Sequence, residues 1–260
     1  MLEQRKPALR RTDIPQDVLN ALSSGAIPTA NLVEWLALDQ AVLLEKILGK
    51  LSLKPEGQAL LQLIHSSTDL SVNGKMKTIG AWIGQHISKE SLQTWSAHTS
   101  DMVRGWMAYA WIEKTKHQGF EIMLKHLKNL ADDPHFSVRE VAWMALRPCI
   151  IQDTESALNA LLPWSHANET NLRRFACEAT RPRGVWCAHL PLLREFPEKA
   201  ENLLLPLRYD TEKYVQLSLG NWLNDAGKTR PDWVRQFVKQ IDPNRLPSKI
   251  VLKRALRNLP

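Results

Sequence analysis

The stretch RRFACEATRPRGVWC, Arg173 to Cys187, holds four arginines, one carboxylate and one tryptophan in fifteen residues. Arginines clustered this densely are the electrostatic footprint of a phosphate-bearing partner. Glu178 then has two readings. It is either the i,i+4 partner of Arg174 on a solvated helix, worth about 0.3–0.5 kcal/mol, or a carboxylate facing whatever the arginines bind. Periodicity alone favours the first. A second carboxylate, Asp225, sits one turn beyond Asn221 in NWLNDAGK, where it could equally belong to a helix end closed by Gly227.

The elements that position these groups read as helices. Apolar residues recur at helical spacing from about Ala30 to the C-terminus, and Val, Ile and Thr nowhere alternate with polar residues as a strand requires. TANLVEWLALDQAVLLEKIL reads as one helix, capped by Thr29 or Asn31, with Leu32, Trp35, Leu36, Val42, Leu43 and Ile47 on its buried side. Further on, VRGWMAYA, VREVAWMAL, LRRFACEAT and VQLSLGNWL align from Val103, Val138, Leu172 and Val215, at offsets of 35, 34 and 43 residues. Polar turns, DDPHFS, HANETN and RYDTEK, precede the last three. A polar turn followed by a helix opening on Val-Arg is the pattern of HEAT-like repeats. The fold class expected is therefore all-α, a HEAT-like solenoid in which antiparallel helix pairs stack into a curved superhelix. We expect one domain over 1–260, with 1–28 as a partly irregular extension.

At about 100° per residue, Leu172, Phe175, Ala176 and Ala179 form the buried stripe of the third aligned helix. Arg174, Glu178 and Arg181 lie together on its other side. The slot six residues after each anchoring aliphatic holds Tyr109, Met144, Glu178 and Asn221. If these helices line a concave face, the slot forms a row across it.

Composition narrows the class. The net charge is +7 with a pI near 9.4, and there are ten tryptophans against three tyrosines. Basic clusters recur in RKPALRR, in the central stretch and in LPSKIVLKRALRN. No apolar run approaches a membrane span and the N-terminus lacks a signal-peptide core, so a cytoplasmic protein without membrane contact is expected. Cys149, Cys177 and Cys187 are odd in number and lack CxxC spacing. The histidines show no metal-ligand spacing, and no P-loop or GxGxxG occurs. Neither metal nor cofactor is expected.

LRRFACEATRPRGVWCAHLPLL and YVQLSLGNWLNDAGKTRPDWV together resemble the bacterial alkylpurine DNA glycosylases of the AlkC/AlkD superfamily, with the AlkC branch nearer. The likeness is good over 138–235 and rests on Thr-Arg-Pro-Arg and Leu-Asn-Asp. It implies removal of cationic N-alkylated bases, of the 3-methyladenine type, from double-stranded DNA by a metal-free, monofunctional, monomeric enzyme. Glu178, Trp186 and Asp225 fall on the family's catalytic positions. One departure stands out: WMALRP puts Trp143 where that branch carries a glutamate, while Arg147 and Pro148 match. Glu140, one turn earlier, is the available substitute, aimed about 60° away around the axis.

The chemistry implied is glycosidic hydrolysis. A cationic base departs readily, and the barrier lies in the oxocarbenium-like sugar and in delivering water to it. Carboxylates near the anomeric carbon offset that charge and orient water, the roles given to Glu178 and Asp225. Indole faces attract cations by up to about 2 kcal/mol when desolvated, which suits Trp186, and Trp143 as well, to recognising a cationic base. Core packing is the alternative for Trp186. Arg147, Arg173, Arg174, Arg181 and Arg183 are expected on flanking phosphates, and Asn221 on the DNA. Two other readings remain: a DNA-binding solenoid impaired in catalysis by Trp143, and a protein-interaction scaffold with an acidic partner.

Overall fold

A computed structural model describes residues 5–49, 51, 54–245 and 248–259. Among them every regular element is helical, as the apolar periodicity predicts. The chain divides into two compact units, residues 1–115 with 135–141, and residues 116–134 with 142–260.

The first unit carries α1 (Gln16–Ser23), α2 (Leu32–Ala37), α3 (Gln40–Leu48), α4 (Pro55–Ser66), α5 (Val72–His86), α6 (Lys89–Trp95) and α7 (Asp101–Thr115). The single helix expected from Thr29 onward is in fact two. Asn31 caps α2 by accepting from Glu34 N at 3.0 Å, but the Asp39 side chain then accepts from Ala41 N and Val42 N and starts α3 afresh. This break resets the helical phase. Leu32, Leu36 and Val42, expected inside, are exposed, while Leu43 and Leu44 are fully buried. Helices α5 and α7 touch backbone to backbone. A Cβ on Gly80 would lie 2.7 Å from Trp106 O, and one on Gly84 2.5 Å from Ala110 O, so only glycine permits this approach. Around them Met76, Ile79, Ile83, Met102 and Trp106 are wholly removed from water, each contributing about 1.5–3 kcal/mol.

Helix α9 (Phe136–Gln152) opens in the first unit and ends in the second. The second unit adds α8 (Phe120–Ala131), α10 (Thr154–Leu161), α11 (Thr170–Ala179), α12 (Pro191–Glu195), α13 (Glu201–Leu204), α14 (Lys213–Gly227), α15 (Pro231–Val238) and α16 (Ser248–Ala255). The four aligned segments all fall on helices: α7, α9, α11 and α14. Helix α14 packs between α11 and α16, and its Trp222 is fully buried, donating from Nε1 to Thr180 O at 2.9 Å.

The recurrent Val-Arg signature has a structural cause. Arg104 Nη1 donates to the carbonyls of His98 and Thr99, and Arg173 Nη1 to those of Ala167 and Asn168, six and five residues back in each case. Each arginine thus satisfies carbonyls of the turn that precedes its own helix. Arg173 also pairs with Asp210 of the following turn, Nε to Oδ2 at 2.5 Å, and this partner holds its guanidinium more firmly protonated than a free arginine. Arg173, expected on a phosphate, here ties its own helix to the following turn.

Candidate active site

Helix α11 presents Glu178 toward α14. Ser218 Oγ of α14 donates to Glu178 Oε1 at 2.8 Å, and Arg181 Nη1 lies 3.1 Å from Oε2. The same guanidinium reaches Asp225, with Nε at 2.9 Å and Nη2 at 2.7 Å, both on Oδ2. Arg181 therefore bridges the two carboxylates, which are 4% and 5% exposed. Burial works against the charge on Arg181, but Glu178 and Asp225 more than offset it and raise its proton affinity above that of free arginine. Asp225 Oδ1 is placed differently: Lys228 Nζ, on a half-exposed side chain, approaches it at 3.3 Å.

Helical phase grouped Arg174, Glu178 and Arg181 correctly, yet it could not show what covers them. The Arg174 guanidinium lies over the Tyr214 ring at 4.1 Å, with Nη2 3.7 Å from Glu178 Oε1. Thus the i,i+4 pair exists, but inside a buried cluster rather than on a wet helix. Arg174 and Arg181, both expected on phosphates, are engaged internally because α14 supplies an aromatic face and a second carboxylate. Asn221 is also engaged, its Oδ1 accepting from Arg254 Nη1 at 2.8 Å.

Arg147 departs furthest from expectation. It is 1% exposed, and its guanidinium donates to three backbone carbonyls: Ala179 at 3.0 Å, Arg181 at 2.5 Å and Ala188 at 2.8 Å. Desolvation lowers its proton affinity. It pins both feet of the segment joining α11 to α12, which Leu190 N closes by donating to Pro182 O at 3.0 Å. Within that loop a Cβ on Gly184 would meet Cys187 Sγ at 2.4 Å, so the turn closes on itself. At its tip Trp186 is 66% exposed and Val185 67%. Core packing, the alternative for Trp186, is not what the structure shows. Arg183 is half-buried on the same loop, its Nε lacking a hydrogen-bond partner.

Trp143 is 5% exposed in α9. The contact with a base expected of it would require this indole to become accessible. Ser218 and Tyr214 escaped the sequence reading, since neither stands out from an ordinary helix without its neighbour. Cys177 is no nucleophile: burial, then the Glu178 charge, push its thiol up to about 12. A cleft of about 530 Å³, lined by Lys116, Phe120, Cys149, Asp153 and Asn159 among others, involves none of the expected site residues. Among the described residues no group of His, Cys, Asp and Glu could hold a metal ion, and no helix is long and apolar enough to cross a membrane.

The fold and the site together define an all-helical repeat protein with an arginine-bridged pair of buried carboxylates and, in the segment after α11, an exposed tryptophan. Residues 140–259 match the family described as DNA alkylation repair enzyme. It is 26% identical over 193 residues to the uncharacterized protein YhaZ of Bacillus subtilis, covering 74% of this chain and spanning 53% of that protein's length. The alkylpurine DNA glycosylase AlkC of Pseudomonas fluorescens, solved bound to DNA containing an abasic site analog, superposes over 97% of this chain and 65% of its own. Its TM-score is 0.68 at 19% identity. AlkD2 from Streptococcus mutans gives a TM-score of 0.61 at 21% identity, over 78% of this chain and 99% of its own. These likenesses establish the fold as the HEAT-like one expected from the repeats.

Proposed function

We propose that the chain hydrolyses the N-glycosidic bond of cationic N-alkylated bases in duplex DNA. The observation that carries this reading is the fixed pair Glu178 and Asp225. Two carboxylates on adjacent helices, held by one guanidinium and partly desolvated, suit a reaction whose barrier is positive charge developing on a sugar. Arg181 saturates Oδ2 of Asp225. Oδ1, beside the half-exposed Lys228, is then the oxygen that meets an incoming sugar, and Glu178 holds Arg181 from the other side. Trp186 offers an accessible π-face to the departing cation, which a neutral base would not reward.

A second reading, a DNA-binding protein without catalysis, is favoured by one observation. Trp143 stands where the resemblance expects a glutamate, and it is buried. Incubating the protein with methylated duplex DNA and measuring released bases separates the two. The enzyme reading expects release of 3-methyladenine-type bases, lowered by about 100-fold or more in Asp225→Asn. Binding with no release by the intact protein overturns it in favour of the second reading. Release unchanged in both Glu178→Gln and Asp225→Asn overturns the assignment of roles.

A further inference from the structure

One run of positive charge outside the carboxylate site lies at the end of the chain. From Pro243 to Pro260 the sequence carries five cations, Arg245, Lys249, Lys253, Arg254 and Arg257, and no acid, in a chain of net charge +7. Two of the five serve the fold. Arg245 lies over the Tyr209 ring at 4.2 Å, and Arg254 donates to Asn221. The other three are exposed and recur every four residues. They form one stripe of roughly 12 Å along α16 and the turn after it. Buried Ser248, Val251 and Ala255 occupy the opposite side of the helix.

A solvated helix face mixes signs, and this one does not. Cations one turn apart repel where an acid at the same spacing would attract. Lys249 also lies in the first turn, where the helix dipole disfavours a cation. None of the three forms an ion pair with any described residue. Each choice is locally unfavourable, so the stripe is organised for an anion that the chain itself does not supply. Meanwhile Arg147, Arg173, Arg174 and Arg181 are committed to the fold and the carboxylates, which leaves the backbone affinity of a DNA-binding protein to be supplied elsewhere.

We propose that Lys249, Lys253 and Arg257 form a second DNA contact surface that holds duplex phosphates away from the lesion without reading sequence. This rests on the reading of the chain as a DNA repair protein. Phosphate contacts of this kind release counterions, so affinity falls with salt by a slope of about 0.9 per contact. The test is anisotropy of a labelled, undamaged duplex titrated with KCl. K249Q/K253Q/R257Q should bind more weakly at low salt, with a log–log slope shallower by about 2.7. The charge-keeping K249R/K253R/R257K should retain the wild-type slope, and circular dichroism should show all three proteins equally helical. A wild type with a steep slope that the neutral variant shares overturns the stripe alone. An unchanged DNA slope with weakened binding to polyglutamate assigns the stripe to an acidic protein partner and also overturns it. A wild type that binds no duplex at any salt overturns the repair reading itself, and the stripe with it.

Discussion

Arg181 places two nitrogens, Nε at 2.9 Å and Nη2 at 2.7 Å, on a single oxygen of Asp225. Its third contact, from Nη1 to Glu178, makes it the common counter-ion of two carboxylates that are otherwise removed from water. Removing one partner of a buried ionic cluster leaves uncompensated charge, at about 3–5 kcal/mol. Arg181→Met should therefore lower the urea unfolding free energy by about that amount. Adding Glu178→Gln and Asp225→Asn to the same chain should recover part of it. Strict additivity of the three losses would show that the bridge carries no energy.

Trp186 touches solvent over two-thirds of its surface. Trp186→Ala should therefore change stability by no more than about 0.5 kcal/mol. Loss of a cation–π contact of about 2 kcal/mol corresponds to roughly 30-fold in rate or affinity. Single-turnover release from methylated DNA should fall by that order, with Trp186→Phe intermediate. Equal behaviour of the Ala and Phe variants would remove the cation–π role.

Arg147 carries three carbonyls of the segment that presents Trp186. Arg147→Leu leaves buried acceptors unsatisfied at about 1–3 kcal/mol each. The variant should unfold at lower urea and should be cut by trypsin at Arg183 faster than the wild type. Arg147→Lys, with a single ammonium, should protect the loop only partly. Unchanged cleavage in Arg147→Leu would show that the loop does not depend on this residue.

Burial, and then the charge of Arg104, lower the proton affinity of His98, whose Nδ1 accepts from Ser100 N at 3.0 Å. The folded state thus binds this proton less readily than the unfolded chain, whose histidine titrates near about 6.5. His98 favours the folded state equally at all pH above that value, and stability is lost as pH falls below it. The urea midpoint should drop between pH 7.5 and 5.5, and the drop should be smaller in His98→Gln. The same drop in both proteins would assign it to other groups.

How much was legible differs from residue to residue. The repeat was readable because the arginine after the anchoring aliphatic ties off the turn behind it in both α7 and α11, and a local task leaves a local signature. The neighbourhood of Arg174, Glu178 and Arg181 was readable because i, i+3 and i+4 positions meet on any helix. Its burial was not, because Tyr214, Ser218 and Asp225 come from α14, some forty residues on. The same limit hid the role of Arg147. An arginine beside a proline looks like a surface cation, and its carbonyl partners at 179, 181 and 188 exist only once α9 packs beneath the loop. The split between α2 and α3 turned on one competing choice, since Asp39 serves better as a cap than within a helix, and periodicity does not register caps.

The segment from Ala179 to Ala188 is held at its feet by one buried side chain and closed by its own backbone. Its conformational entropy is therefore lost when the chain folds, not when a ligand arrives. A tryptophan mounted this way is held in place before any ligand arrives. Recognition by it would carry a small ordering cost, would proceed without a slow loop-closing phase, and would judge a ligand by shape and charge against a template already set.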